Sequence, residues 1–88
     1  MTVNALAERV VVILEKVTDS DQIKENLNID LFALGLIDSL GFIELIVSLS
    51  EEFSIEISPI EITRSMWETP AKIIEYIESR ISHNKIVT

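Results

Sequence analysis

Apolar residues recur at helical spacing in three separate stretches of this chain, and polar residues and prolines mark where each stretch stops. From Thr2 to Val17 the period is held by Val3, Leu6, Ala7, Val10, Ile13, Leu14 and Val17, with Thr2 or Asn4 able to cap the start. Val11 and Val12 are β-branched, but a periodic run of this length outweighs local propensity, so a helix is expected. The second stretch, Leu34 to Phe53, is the one the rest is arranged around. A turn signal at Gly35 and two cap-forming residues, Asp38 and Ser39, precede it; counting from Phe42, Leu45, Ile46, Leu49 and Phe53 fall on one helical face. The pattern predicts a helix from Ser39 to Phe53 that buries these five side chains, each contributing about 1.5–3 kcal/mol. Leu40, Ile43 and Val47 lie on another flank beside Glu44 and Glu51 and are expected to stay partly exposed. In the third stretch Thr69 and Pro70 form a cap and first-turn pair, and Ile73, Ile74, Ile77 and Ile81 follow at helical spacing. His83 to Thr88 should fray.

The connections are less regular. Thr18 to Asp38 gathers Asp19, Ser20, Asp21, Asn26, Asn28 and Asp30 among isolated apolar residues and reads as a long loop. Loops beyond about 12–15 residues are uncommon unless functional or partly structured, so Ile23, Leu27, Ile29, Leu31 and Phe32 are expected to pin it down. Ser54 to Ser58 alternates like a strand but has no partner strand, which predicts an extended connector burying Ile55 or Ile57. Pro59 and Pro70 leave Ile60 to Trp67 room for a helical turn or two. The expected fold is all-α: a small four-helix bundle of three longer helices and one short one, with a long loop between helices one and two, in a single domain over residues 1–88.

Composition narrows the function classes. The chain has no cysteine, so disulfides and thiolate metal sites are excluded and the cytoplasm is the default location. A net charge of −8 argues against nucleic acid, whose phosphates require clustered Lys and Arg, and favours basic protein partners met through quick, salt-sensitive encounters. The longest apolar run, Val10 to Leu14, is fenced by Arg9 and Glu15, which predicts neither membrane insertion nor a targeting segment. A monomer is expected, since few apolar residues are left over for an interface.

Ser39 is the sharpest candidate for chemistry. A hydroxyl in the first turn of a helix stands at the surface with the positive end of the helix dipole behind it, where a phosphate is well placed. Asp38 beside it could ligate a metal ion or meet a basic residue of a modifying enzyme. Either residue could equally be a plain N-cap. A serine hydrolase would need a base near Ser39, but the only histidine, His83, lies in the expected tail and no G-x-S-x-G context exists. Trp67, the only tryptophan, reads as a core anchor between helices.

The run Gly35-Leu36-Ile37-Asp38-Ser39-Leu40-Gly41, preceded by Leu31-Phe32 and followed by an acid-flanked amphipathic helix, resembles the acyl and peptidyl carrier proteins. The resemblance covers the chain from the first helix to about Ser82 and implies that Ser39 carries a 4'-phosphopantetheine arm from coenzyme A. It implies as partners a phosphopantetheinyl transferase, an adenylating ligase or other loading enzyme, and an acyltransferase or synthase that unloads the thioester. The carrier itself would not be an enzyme. Leu40, Ile43 and Val47 would form its apolar contact stripe, and Glu44, Glu51 and Glu52 its acidic rim. A narrower likeness, Glu61-Ile62-Thr63-Arg64 followed by Trp67-Glu68-Thr69-Pro70, is similar to the D-alanyl carrier proteins of teichoic acid biosynthesis, as is Gly41 two residues after the serine. The chain departs from them at Phe42, Ile62 and Thr63, where Thr, Phe and Asp are usual, and its Pro59 to Trp67 spacing is one residue shorter. The implied cargo is D-alanine or another amino acid; the alternatives are an acyl carrier for fatty acid or polyketide-type synthesis, and a non-covalent acidic interaction module.

Overall fold

Helix α2 shows how the periodicity is used. It spans Ser39–Phe53 in a computed structural model that describes the backbone of residues 3–87 and the side chains of residues 5–81. Leu45, Ile46 and Leu49 are buried, while Phe42 and Phe53, expected to be buried with them, are half-buried at the two ends of the face. The helix starts where Asp38 takes an extended conformation and its Oδ1 accepts the Gly41 N–H at 2.8 Å. It stops where Ser54 turns left-handed (φ 55°), letting its own N–H and that of Ile55 return to the Ser50 carbonyl.

Helix α1, Val3–Thr18, buries Leu6, Val10 and Leu14 and packs against both α2 and helix α3, which runs Pro70–Val87. Thr2, one of the two expected caps of α1, lies outside the described residues. Thr69 caps α3, its Oγ1 accepting the Lys72 N–H at 3.2 Å, and Ile73, Ile74 and Ile77 are buried. The α3 backbone continues to Val87, past the point at His83 where fraying was expected, while side chains from Ser82 onward and Thr88 lie outside the described residues.

The expected fourth helix is absent as such. Pro59–Glu61 and Arg64–Met66 form two separate 3₁₀ turns, with Ile62 and Thr63 extended between them. A continuous helix starting at Pro59 would put Ile60 and Trp67, seven residues apart, on one face, whereas Ile60 is 93% exposed and Trp67 fully buried; Ile62 is buried from the extended segment between the turns. The result is an all-α fold of three helices, with no strand among the described residues.

The long α1–α2 loop contains a 3₁₀ turn at Ile23–Glu25 and buries Ile23, Ile29, Leu31 and Ile37, with Leu27 and Phe32 half-buried. It is also stitched to the start of α3, since Leu31 N–H donates to the Glu68 carbonyl at 2.7 Å and Ala71 N–H to the Leu27 carbonyl at 2.9 Å. The Ser54–Ser58 connector buries both Ile55 and Ile57. Trp67 is the core anchor expected of it, fully buried and edge-on to Phe42 (5.9 Å) and Tyr76 (5.5 Å). Its indole N–H makes no hydrogen bond among the described residues, a cost of about 1–3 kcal/mol that burial of so large a ring offsets.

These placements give two stability predictions, both read from urea midpoints at constant m-value. Leu49→Ala should cost about 2–5 kcal/mol, whereas truncating the half-exposed Val47 to Ala should cost less than about 1 kcal/mol; equal losses would mean that the wrong face of α2 is in the core. Asp38→Ala should cost about 1 kcal/mol through the lost cap, while Ser39→Ala, which removes no bond to a described residue, should stay within about 0.5 kcal/mol of the parent.

Candidate functional site

The division of labour at the start of α2 follows from the cap. Because Asp38 supplies the N-cap oxygen, Ser39 occupies the first helical position, exposed, and its hydroxyl makes no hydrogen bond to another described residue. Of the two readings open at Asp38 and Ser39, the capping one belongs to Asp38. Beneath them Ile37 is buried, its N–H and that of Leu36 both held by the Leu31 carbonyl. Gly35, at φ +72°, makes the turn that reverses the chain into this position.

Gly41 has a separate role. A Cβ there would stand 3.3 Å from Asp38 Oδ1, a tight approach, and 3.8 Å from Val17 Cγ1, an ordinary contact, so the bare glycine leaves room for the capping carboxylate while α1 packs alongside. The cap and the packing of α1 against α2 meet at this residue.

Beside Ser39 lies an open hollow of about 590 Å³. Asp38, Ser39 and Arg64 line it together with the apolar side chains of Phe32, Ile37, Phe42, Ile43 and Ile62. The Arg64 guanidinium sits over the Phe32 ring, with Cζ 5.0 Å from the centroid. Phe32 in turn lies 6.0 Å from Phe42, which leads through Trp67 to Tyr76 and to Arg80 over its ring at 5.7 Å. A row of four aromatic rings thus runs from the hollow into the core, with a guanidinium at each end. Sequence patterning did not single out Arg64, Phe32, Ile37 or Ile62 as site residues. The signal available for Arg64 was its isolation, since it is the only basic residue between Lys24 and Lys72.

The stripe expected on α2 is at the surface: Leu40 is 81% exposed, Ile43 46% and Val47 49%. Glu44 and Glu51 are exposed alongside it. Glu52 differs from the expected free acidic rim. Arg9 Nε donates to its carboxylate at 2.7 Å and Arg9 Nη2 to its main-chain carbonyl at 3.0 Å, while the guanidinium lies over Phe53. That arginine neutralises the carbonyl end of α2 and ties it to α1.

The exposed Ser39 hydroxyl is open to a substituent. A phosphodiester on Ser39 Oγ would project from the positive end of α2 without breaking any bond to a described residue, and the hollow gives its first atoms somewhere to lie. No helix among the described residues is long and apolar enough to cross a membrane.

Known proteins share this sequence over most of its length. Residues 2–77 match the family described as "Phosphopantetheine attachment site". The chain is 41% identical over 78 residues to a D-alanyl carrier protein of Lacticaseibacillus casei, covering 89% of this chain and 96% of that one. It is 37% identical over 75 residues to a D-alanyl carrier protein of Listeria monocytogenes, covering 85% and 96%. With one from Bacillus mycoides the identity is 39% over 71 residues, covering 81% and 90%. The chain therefore belongs to the phosphopantetheine attachment-site family that includes the D-alanyl carrier proteins, and it is a carrier with a covalently held 4'-phosphopantetheine arm rather than an enzyme.

Proposed function

We propose that Ser39 is the attachment residue and that the arm it carries holds D-alanine, or another small aminoacyl group, as a thioester. The observation that carries this reading is the exposed Ser39 hydroxyl at the first position of α2, relieved of capping duty by Asp38 and standing beside a hollow. A phosphopantetheinyl transferase installs the arm by forming the phosphodiester at Ser39 Oγ, and Asp38 is the nearest carboxylate in sequence for that enzyme to engage. The arm supplies the only thiol, since the chain has no cysteine. This chain's own residues position the arm and present docking surfaces; the bond making belongs to its partners.

D-Alanine is supported by the relatives' names and by the interior. A long fatty or polyketide chain needs a space among the helices, but here Trp67, Leu14, Leu45, Leu49, Ile73 and Ile77 meet there, all fully buried, and the hollow beside Ser39 is open to solvent. A small polar cargo needs no such shelter. The two 3₁₀ turns between Pro59 and Met66 stand where a short fourth helix would close the bundle beside Ser39. Residues 1–88 act as one monomeric carrier domain working in the cytoplasm. Leu40, Ile43 and Val47 form the apolar docking stripe, with Glu44 and Glu51 as the rim that orients basic loading and unloading enzymes, an adenylating ligase and an acyltransferase.

Two experiments test this. Incubation with coenzyme A and a promiscuous phosphopantetheinyl transferase should add the mass of one phosphopantetheine to the parent and none to Ser39→Ala; a folded parent that gains nothing would be an acidic binding module instead. Substituting Ile43 or Val47 by Ser should lower kcat/KM for loading by a D-alanine-adenylating ligase about tenfold while leaving the unfolding midpoint nearly unchanged, and unaltered loading would remove the stripe from the docking surface.

A further inference from the structure

We propose that Arg64 seats the arm: its guanidinium, held over Phe32 in the lining of the hollow beside Ser39, pairs with the phosphodiester once Ser39 is esterified. The inference rests on the reading of Ser39 as the attachment residue.

Charge favours the pairing. Esterification adds an anion next to the Asp38 carboxylate, on a chain already at −8, in a stretch where Arg64 is the only basic residue between Lys24 and Lys72. The α2 dipole offsets part of that repulsion, but its field falls off within the first turn and is shared with Asp38. A cation lining the same hollow as Asp38 and Ser39 offsets more of it, and Arg64 is the basic residue in that lining.

Arg64 is also the arginine left available. The chain has three. Arg9 is committed to Glu52, and Arg80 donates to the Tyr76 hydroxyl at 2.7 Å and to the Glu56 carbonyl. The Arg64 guanidinium makes no hydrogen bond or ion pair to a described residue; its one defined contact is the Phe32 ring. A cation–π contact with an aromatic face favours this position of the guanidinium without using any of its N–H donors, which can pair with two phosphate oxygens. Phe32 is itself restrained, because Asp30 Oδ1 accepts both its N–H at 3.1 Å and that of Ala33 at 2.9 Å. The chain therefore holds an unused guanidinium in place before any phosphate arrives.

The test uses holo protein labelled with ¹⁵N-arginine. Intact mass first verifies the added arm, and circular dichroism verifies that the Arg64→Gln and Arg64→Lys variants fold; loss of one Nε–Hε signal in each variant assigns Arg64. On going from apo to holo, the Arg64 Nε–Hε resonance should move and its exchange with water should slow several-fold, while Arg9 and Arg80 stay unchanged. The ³¹P resonance of the arm should differ between the holo parent and Arg64→Gln, should be only partly restored in Arg64→Lys, and should converge among all three at about 1 M salt, where the screening length falls to about 3 Å. An Arg64 signal indifferent to esterification, or a ³¹P resonance identical in parent and Arg64→Gln, overturns the pairing while leaving the carrier reading intact. Failure of the parent to gain the arm overturns both, and the mass spectrum tells the two failures apart.

Discussion

Two backbone hydrogen bonds hold the site together: Leu31 N–H to the Glu68 carbonyl and Ala71 N–H to the Leu27 carbonyl. They fasten the middle of a long loop to the start of α3, and every residue around Ser39 depends on that attachment. Leu31 is fully buried at the junction, and its own carbonyl fixes Leu36 and Ile37, which set the approach to Asp38. One residue further, Phe32 lines the hollow and forms the seat for Arg64. A free loop of this length would scatter these groups; pinned at both carbonyls, it behaves as part of the bundle.

At the head of α2 the cap and the proposed attachment fall to adjacent residues instead of competing for one. An N-terminal helix turn needs an acceptor for its unpaired N–H groups, and serine is as good a cap as aspartate. Had Ser39 been the cap, its oxygen would have been turned inward to Gly41 or Phe42 and lost to modification. Asp38 takes that position, so the serine hydroxyl faces outward. The arrangement has an electrostatic cost, because the capping carboxylate stays beside the point where a phosphate would be added. Gly41 eases the geometry by leaving out a Cβ that would stand 3.3 Å from Asp38 Oδ1.

Much of this was legible in the sequence. The ends of α2, the pinning residues of the first loop, the extended connector and the burial of Trp67 all follow from spacing, cap chemistry and proline positions, which act over a few residues. The exposure of Leu40, Ile43 and Val47 was readable from their place off the main apolar face. Less accessible was whatever depends on which distant groups meet. Glu52 looked like a free rim carboxylate because its partner, Arg9, is on another helix. Phe42 and Phe53 have the right period for burial but stand at the ends of the face, where the neighbouring helices do not cover them fully. Where a short helix was expected after Pro59 there are two 3₁₀ turns, which bury Trp67 while leaving Ile60 exposed, as one continuous helix could not; local propensity does not contain that information. The hollow is the extreme case, assembled from the first loop, α2 and the turn at Arg64, three segments with no common periodicity.

The exposed apolar stripe of α2 and the hollow beside Ser39 meet at one side chain. Ile43 belongs to the exposed stripe with Leu40 and Val47, and it also lines the hollow that opens beside Ser39. Leu45, Ile46 and Leu49 on the opposite face fix the rotation of the helix about its axis, so neither surface can be presented differently without disturbing the core. A protein that covers the stripe therefore covers part of the lining of the hollow. Docking on α2 and the placement of whatever lies in the hollow are thus coupled through Ile43 by geometry alone, with no change in the fold required.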